Sequence, residues 1–301
     1  MSQTDNNKTN HGKLVSAILI AILIATLITL AGSQGGAQFT LAGIQLPVLA
    51  WCALLSFAIN WVIFLPSWLA QTEHYFDLTG SLCFIALALI ALTLSPDQDL
   101  RALLLTLLIC IWAARLGSFL FLRVRKDGSD GRFDPIKPLF TRFLLTWTLQ
   151  ALWVLVTSAA ALTAITSSQR IALDPLAWTG LALWVTGFMI ESVADRQKRH
   201  FRHNPKNAGR FIQSGLWSWS RHPNYFGEIL LWLGIAMIAA PALSGWQLVT
   251  LISPVFVILL LTRVSGIPML EARADKRWGD EPTYQAYKAR TSVLIPRPPR
   301  A

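Results

Sequence analysis

The chain has 301 residues, 53% of them apolar and only 14% charged, with a net charge of +10 and a mean hydropathy of +0.48. A soluble domain carries about 25% charged residues, so this composition excludes that class and points to a protein held in a bilayer. The basic excess does not imply a nucleic-acid partner, because membrane proteins gather Lys and Arg on their cytoplasmic side for other reasons.

In chain order, a flexible polar tail (1–12) precedes eight apolar stretches, near 14–31, 46–70, 78–95, 101–122, 141–166, 175–194, 226–241 and 246–262. Most reach the ~20 residues needed to cross ~30 Å of hydrocarbon. The first has no small-residue cleavage pattern and reads as an uncleaved span. The last two are short, and Pro241 and Gly245 between them predict a tight hairpin instead of one long helix. The expected fold is therefore all-α, a polytopic membrane helix bundle of about eight spans forming a single integral membrane domain over 1–301. Cys52, Cys83 and Cys110 lie in apolar stretches at spacings that suggest no metal site, and are expected to be buried reduced thiols.

Charge placement gives the expected orientation. With the N-terminus inside, 23 of the 26 basic residues fall on cytoplasmic segments; Arg101 and Arg170 fall outside and Arg115 within a span. Both termini are then cytoplasmic. The long polar segments 123–140, 195–225 and 263–301 share that face, which is where cofactor chemistry is expected, with an apolar small-molecule substrate approaching from the bilayer.

Several polar groups stand against this apolar background. Glu73-His74-Tyr75-Phe76-Asp77 lies between the second and third stretches, and Tyr75 or Asp77 can donate a proton to a developing oxyanion. The plainer reading is a solvated turn whose acids cap the next helix. Arg115 stands inside the fourth stretch, where a cation either snorkels to the surface or pairs with a carboxylate or bound phosphate. Glu191, Asp195, Arg199 and Arg202 recur at steps of four, four and three, which puts them on one helical face. An exposed, self-paired helix would explain that stripe, but Glu191 ends an apolar run, where a carboxylate seeks a partner.

The densest polar cluster is Gly215-Leu216-Trp217-Ser218-Trp219-Ser220-Arg221-His222-Pro223-Asn224-Tyr225-Phe226-Gly227-Glu228. Pro223 suits a first helical turn, whose free N–H groups favour an anion. Asn224, Tyr225 and Glu228 then share a face. Headgroup anchoring explains Arg221, His222 and the aromatics but not Asn224 and Glu228, so the cluster reads as a binding site.

This run, with Asp195 and Arg202 before it and Tyr287 and Leu294-Ile295-Pro296 after it, resembles the C-terminal region of the steroid 5α-reductases. It is more similar still to their bacterial membrane relatives, which share Trp112-Ala113-Ala114-Arg115-Leu116-Gly117, Glu191-Ser192-Val193-Ala194-Asp195 and the stretch from Ser265-Gly266-Ile267-Pro268 to Arg277-Trp278-Gly279. The resemblance implies a helical inner-membrane reductase that holds NADPH from the cytoplasmic side and delivers hydride to an enone. It assigns Asp195, Arg199, Arg202, Asn224, Glu228 and Tyr287 to the cofactor region. Arg115, Glu191, Arg221, His222 and Tyr225 join them on chemistry, since NADPH needs guanidinium groups for phosphates and carboxylates for hydroxyls or amide. No Gly-x-Gly-x-x-Gly follows a strand, so the dinucleotide site is not of Rossmann type.

Two departures weigh against a steroid as substrate. The glutamine–glutamate pair that polarises the ketone in the characterised reductases has no counterpart, and Trp112 stands near the place of their tyrosine, offering one N–H and no acid. Arg221-His222-Pro223-x-Tyr225-x-Gly227 is also similar to the motif of the isoprenylcysteine carboxyl and phospholipid methyltransferases, so S-adenosylmethionine is the alternative cofactor. A non-enzymatic scaffold or lipid-binding protein is the third alternative.

Overall fold

The computed structural model describes residues 3–96 and 98–299. Met1 and Ser2 of the polar tail, and Arg300 at the end of the 263–301 segment, lie outside the described residues. The helices are α1 (Gln3–Gly32), α2 (Val48–Leu69), α3 (Phe76–Leu94), α4 (Leu100–Asp127), α5 (Phe140–Thr166), α6 (Pro175–His203), α7 (Pro223–Ala239), α8 (Ile252–Leu259), α9 (Ile267–Trp278) and α10 (Pro282–Arg290). Eight segments are long and apolar enough to cross a membrane, the last of them running from Gly245 to Trp278. The eight-span helical reading holds. The 3₁₀ turn Ala240–Ala242 ends the seventh segment, and Ser244 opens the eighth with a capping box to Gln247, so the two are separate spans with Pro241 and Gly245 at the break.

Local chemistry sets the helix ends. Asp99 accepts the Ala102 N–H at the start of α4, and Asp174 accepts the Ala177 N–H at the start of α6, with Pro175 in the first turn. Gly128 takes a φ of +83° to end α4. The eighth segment is not a uniform helix, since the 3₁₀ stretch Gly245–Leu251 passes through α8 into a π turn at Leu260–Val264 and then α9. One antiparallel hairpin, β1 (Gln38–Leu41) with β2 (Ile44–Pro47), is an addition to the all-helical expectation. Ala42 and Gly43, both at positive φ, make its turn.

The chain forms two compact units. The first holds residues up to Leu173 together with Ala239–Ser253. Its axis is α5, with 89% of its apolar window buried; α1, α2, α3 and α4 pack around it, along with the Gly245–Leu251 stretch. A polar thread runs inside this unit: the Gln150 amide donates to Asn60 Oδ1, Asn60 donates to the Ser56 carbonyl, and the Ser56 hydroxyl donates to the Ala151 carbonyl. Buried amides need such partners in a medium without water. Cys52 and Cys83 are buried and Cys110 half-buried, all as free thiols.

The second unit holds Asp174–Ile238 and the chain from Pro254 onward. Here α6 and α7 meet through glycines seven residues apart on each helix. A Cβ on Gly180 would lie 2.6 Å from the Gly234 carbonyl oxygen, and one on Gly187 would lie 2.5 Å from that of Gly227. The reciprocal approaches are as close, 2.4 Å and 2.6 Å. Small residues let two backbones touch where burial of apolar surface gives no drive, since lipid is equally apolar.

Candidate functional site

The loop between α6 and α7 is built by the second unit alone. Gly215 takes a φ of +63°, the left-handed region that favours glycine, and packs against the end of the Gln197 side chain. Gln197 in turn accepts the Leu216 N–H. The Trp217 indole donates to the Ala194 carbonyl, and the Lys198 ammonium sits 4.4 Å from the Trp217 ring centre.

The C-terminal strap closes over this loop. Tyr287 donates its phenol proton to the Trp217 carbonyl at 2.7 Å. Arg221 N–H bonds to the Ser292 carbonyl, Ser220 Oγ donates to the Leu294 carbonyl at 2.8 Å, and Arg297 N–H bonds to the Trp219 carbonyl. The segments 195–225 and 263–301 thus meet at one end of the second unit, as a shared site requires. Burial pushes the Tyr287 and Tyr284 phenols up, Tyr284 to about 12, so both are neutral donors near pH 7.

At this junction Glu271, in the first turns of α9, grips two consecutive residues. Its Oε2 lies 3.0 Å from Arg221 Nη1, and its Oε1 lies 2.8 Å from His222 Nε2. The Arg221 and His222 side chains are 11% and 6% exposed, so this is an ion pair largely removed from water. His222 stacks on Tyr225 with ring centres 5.7 Å apart and planes 9° apart. Burial lowers the imidazole pKa and outweighs the opposing pull of Glu271, so the ring is neutral. A neutral ring beside a carboxylate carries its proton on Nε2, which leaves Nδ1 as an acceptor. That Nδ1 and the Arg221 Nε–H are both buried and have no hydrogen-bond partner. Such atoms fit a ligand that offers an N–H or O–H to one and an anionic oxygen to the other.

The other expected site residues divide. Glu191 and Asp195 are 2% and 8% exposed, and Glu191 lies against Gly227 of α7, whereas Arg199 and Arg202 are exposed. A solvated stripe therefore describes only the outer half of that face. Asn224, Tyr225 and Glu228 are half-buried in the first turns of α7. All these residues belong to the second unit, with Arg221, His222 and Tyr287.

Arg115, Tyr75 and Asp77 belong to the first unit. Arg115 is half-buried along α4. The Tyr75 ring is stacked near Phe121, and Asp77 lies 3.6 Å from Arg123, which also reaches Asp130 at 3.5 Å. Neighbouring Glu73 is buried, bonded to Lys137 at 2.6 Å and to the Asp130 N–H. Burial alone would raise the Glu73 carboxyl, but these bonds outweigh it and hold the group below its ordinary range. Trp112 is buried edge-on against Phe84.

Glu271 escaped the sequence reading. It sits in a polar tail rich in charges, and its one signal was its place in the first turns after Gly266-Ile267-Pro268. Among the described residues no group of three or more His, Cys, Asp or Glu is placed to hold a metal ion.

The family described as "Protein of unknown function (DUF1295)" matches residues 61–291. "Uncharacterized protein C594.04c" of Schizosaccharomyces pombe is 24% identical over 65% of this chain and 64% of its own. "3-oxo-5-alpha-steroid 4-dehydrogenase 1" of Rattus norvegicus is 29% identical over 40% of this chain and 42% of its own. "Probable O-methyltransferase ustE" of Ustilaginoidea virens is 29% identical over 25% of this chain and 26% of its own. The chain thus spans less than two thirds of the length of each of these relatives. No solved structure matches it.

Proposed function

Since this chain belongs to the DUF1295 family, a steroid 5-alpha-reductase-like family, we propose that it is an integral membrane reductase that uses NADPH to saturate an enone in a steroid- or lipid-like substrate. The expected setting is a bacterial inner membrane with the cofactor taken from the cytoplasm. The observation that carries the cofactor reading is the buried Arg221–Glu271–His222 grip, with two ligand-ready atoms left over. Glu271 fixes the plane of the Arg221 guanidinium, so its Nε–H can meet an anionic oxygen without first being ordered. His222 Nδ1 accepts from a hydroxyl or carboxamide N–H. Glu191 and Asp195 supply carboxylates for hydroxyl groups, and the exposed Arg199 and Arg202 suit phosphates near water. Asn224, Tyr225 and Glu228 add an amide, a phenol and a carboxylate beside them. Tyr287 holds the loop through Trp217 and so positions Arg221. When bound, NADPH supplies the hydride.

Proton donation to the developing enolate oxygen is assigned to Tyr75 or Asp77 on their chemistry, and Arg115 to a phosphate or carboxylate. Tyr75→Phe is expected to lower kcat with little change in NADPH affinity. An unchanged kcat removes Tyr75 from this role.

The second reading is an S-adenosylmethionine-dependent methyltransferase, favoured by the Arg221-His222-Pro223 run and the ustE similarity. Thermal unfolding of the detergent-solubilised protein with each nucleotide separates the two. NADPH is expected to raise the midpoint, preferential stabilisation by S-adenosylmethionine overturns the reductase reading, and a response to neither supports a scaffold.

A further inference from the structure

A mostly apolar pocket with a few charged side chains lies in the first unit, at the end where α3 leads into α4 and where α5 ends. It has a volume of about 250 Å³ and is lined by Asp99, Leu100, Arg101, Arg170 and Ile171, among others. Arg101 is only 2% exposed and is engaged, its Nε and Nη2 donating to the Ile171 and Ala172 carbonyls at 3.2 Å and 2.7 Å. It fixes the backbone just after Arg170. Asp99 is engaged as well, accepting the Ala102 N–H at the α4 start. Arg170 differs, because its Nε and Nη1 are buried and have no acceptor. A guanidinium keeps its charge under all ordinary conditions, so burying two of its N–H groups without acceptors is costly and calls for an anionic oxygen.

The pocket's position says which anion. Residues 98–99 and 167–173 lie just outside candidate spans, which sets them at the depth of lipid headgroups. The rim is apolar: Leu100 is 70% exposed and Ile171 37%, which suits acyl chains beside a bound headgroup. We infer that this pocket binds the phosphate of a phospholipid, with Arg170 as its ligand and Arg101 holding the loop that presents it.

The test uses the full chain in a non-ionic detergent, with thermal unfolding read by tryptophan fluorescence. Dioleoyl-phosphatidylglycerol is expected to stabilise it saturably, and dioleoylglycerol, with the same chains and no phosphate, is not. Arg170→Gln should weaken the apparent phosphatidylglycerol affinity by about tenfold or more, the worth of a lost charged hydrogen bond. Lys13→Gln, at another basic site, should leave it unchanged. If Arg170→Gln does not fold, Arg170→Lys replaces it, with several-fold weakening expected. Inorganic phosphate acting as well as the lipid, with the same Arg170 dependence, assigns the site to a free anion of the same chemistry. Equal responses to the two lipids, or an Arg170 variant that binds as wild type does, overturn the proposal.

Discussion

Glu271 is where one substitution separates binding from folding. Glu271→Gln keeps an acceptor for His222 or Arg221 but removes the charge, and is expected to cut NADPH affinity by about tenfold with helicity unchanged in circular dichroism. Glu271→Ala leaves the Arg221 cation buried without its partner, at a cost of about 3–5 kcal/mol, and should lower the unfolding midpoint as well. His222 sets a pH dependence. Its folded pKa lies below the ordinary 6.5, so the unfolded state takes up the proton first as the pH falls. The stability contributed by the neutral ring is complete above pH 6.5 and is lost as the pH falls towards the folded pKa. Thermal unfolding between pH 7.5 and 5 should show that decline, and His222→Gln should flatten it. Glu73 gives a similar loss at lower pH, because its folded pKa is depressed by Lys137 and the Asp130 N–H; Glu73→Gln is expected to cost about 1–3 kcal/mol at neutral pH, read by the same unfolding assay.

Among the elements, the α6–α7 contact makes the sharpest demand on sequence. Gly187→Leu and Gly234→Leu must push apart backbones that touch, and each is expected to destabilise the protein by several kcal/mol or prevent its accumulation, whereas Gly12→Ala, with open space around it, should be neutral in thermal unfolding. The spacing of Gly180, Gly187, Gly227 and Gly234 was visible in the sequence, but it becomes a contact only once two helices are known to pair. The spans themselves were legible because hydrocarbon thickness acts on each one separately. Arg221 and His222 were legible for the same reason, as polar groups at the edge of an apolar helix. Glu271 was hidden, since an acid in a charged tail looks solvated until α9 folds back to present it. The β1–β2 hairpin was missed because its strands are only four residues long.

For the whole molecule, orientation is the remaining expectation. The Tyr287 phenol and the Arg297 N–H donate to the 217–219 backbone and the Ser292 carbonyl accepts from the Arg221 N–H, which puts the tail at the Arg221 end of the second unit. Reporter fusions are expected to place Arg170 outside and the tail at Arg300, beyond the described residues, inside. A tail found outside would remove the proposed cofactor site from the cytoplasm.

The excursion of residues 239–253 into the first unit also governs the order in which the protein is made. Gln247 donates to the Gln34 carbonyl, Ser167 to the Ala242 carbonyl, and a Cβ on Gly32 would meet Thr163 and Thr250 together. The groove between α1 and α5 is therefore sealed by chain that leaves the ribosome long after both helices have been inserted. Until then, five spans wait in the bilayer with an open flank, and a nascent chain stalled or cut before Ser253 is left as a natural target for membrane quality-control proteases.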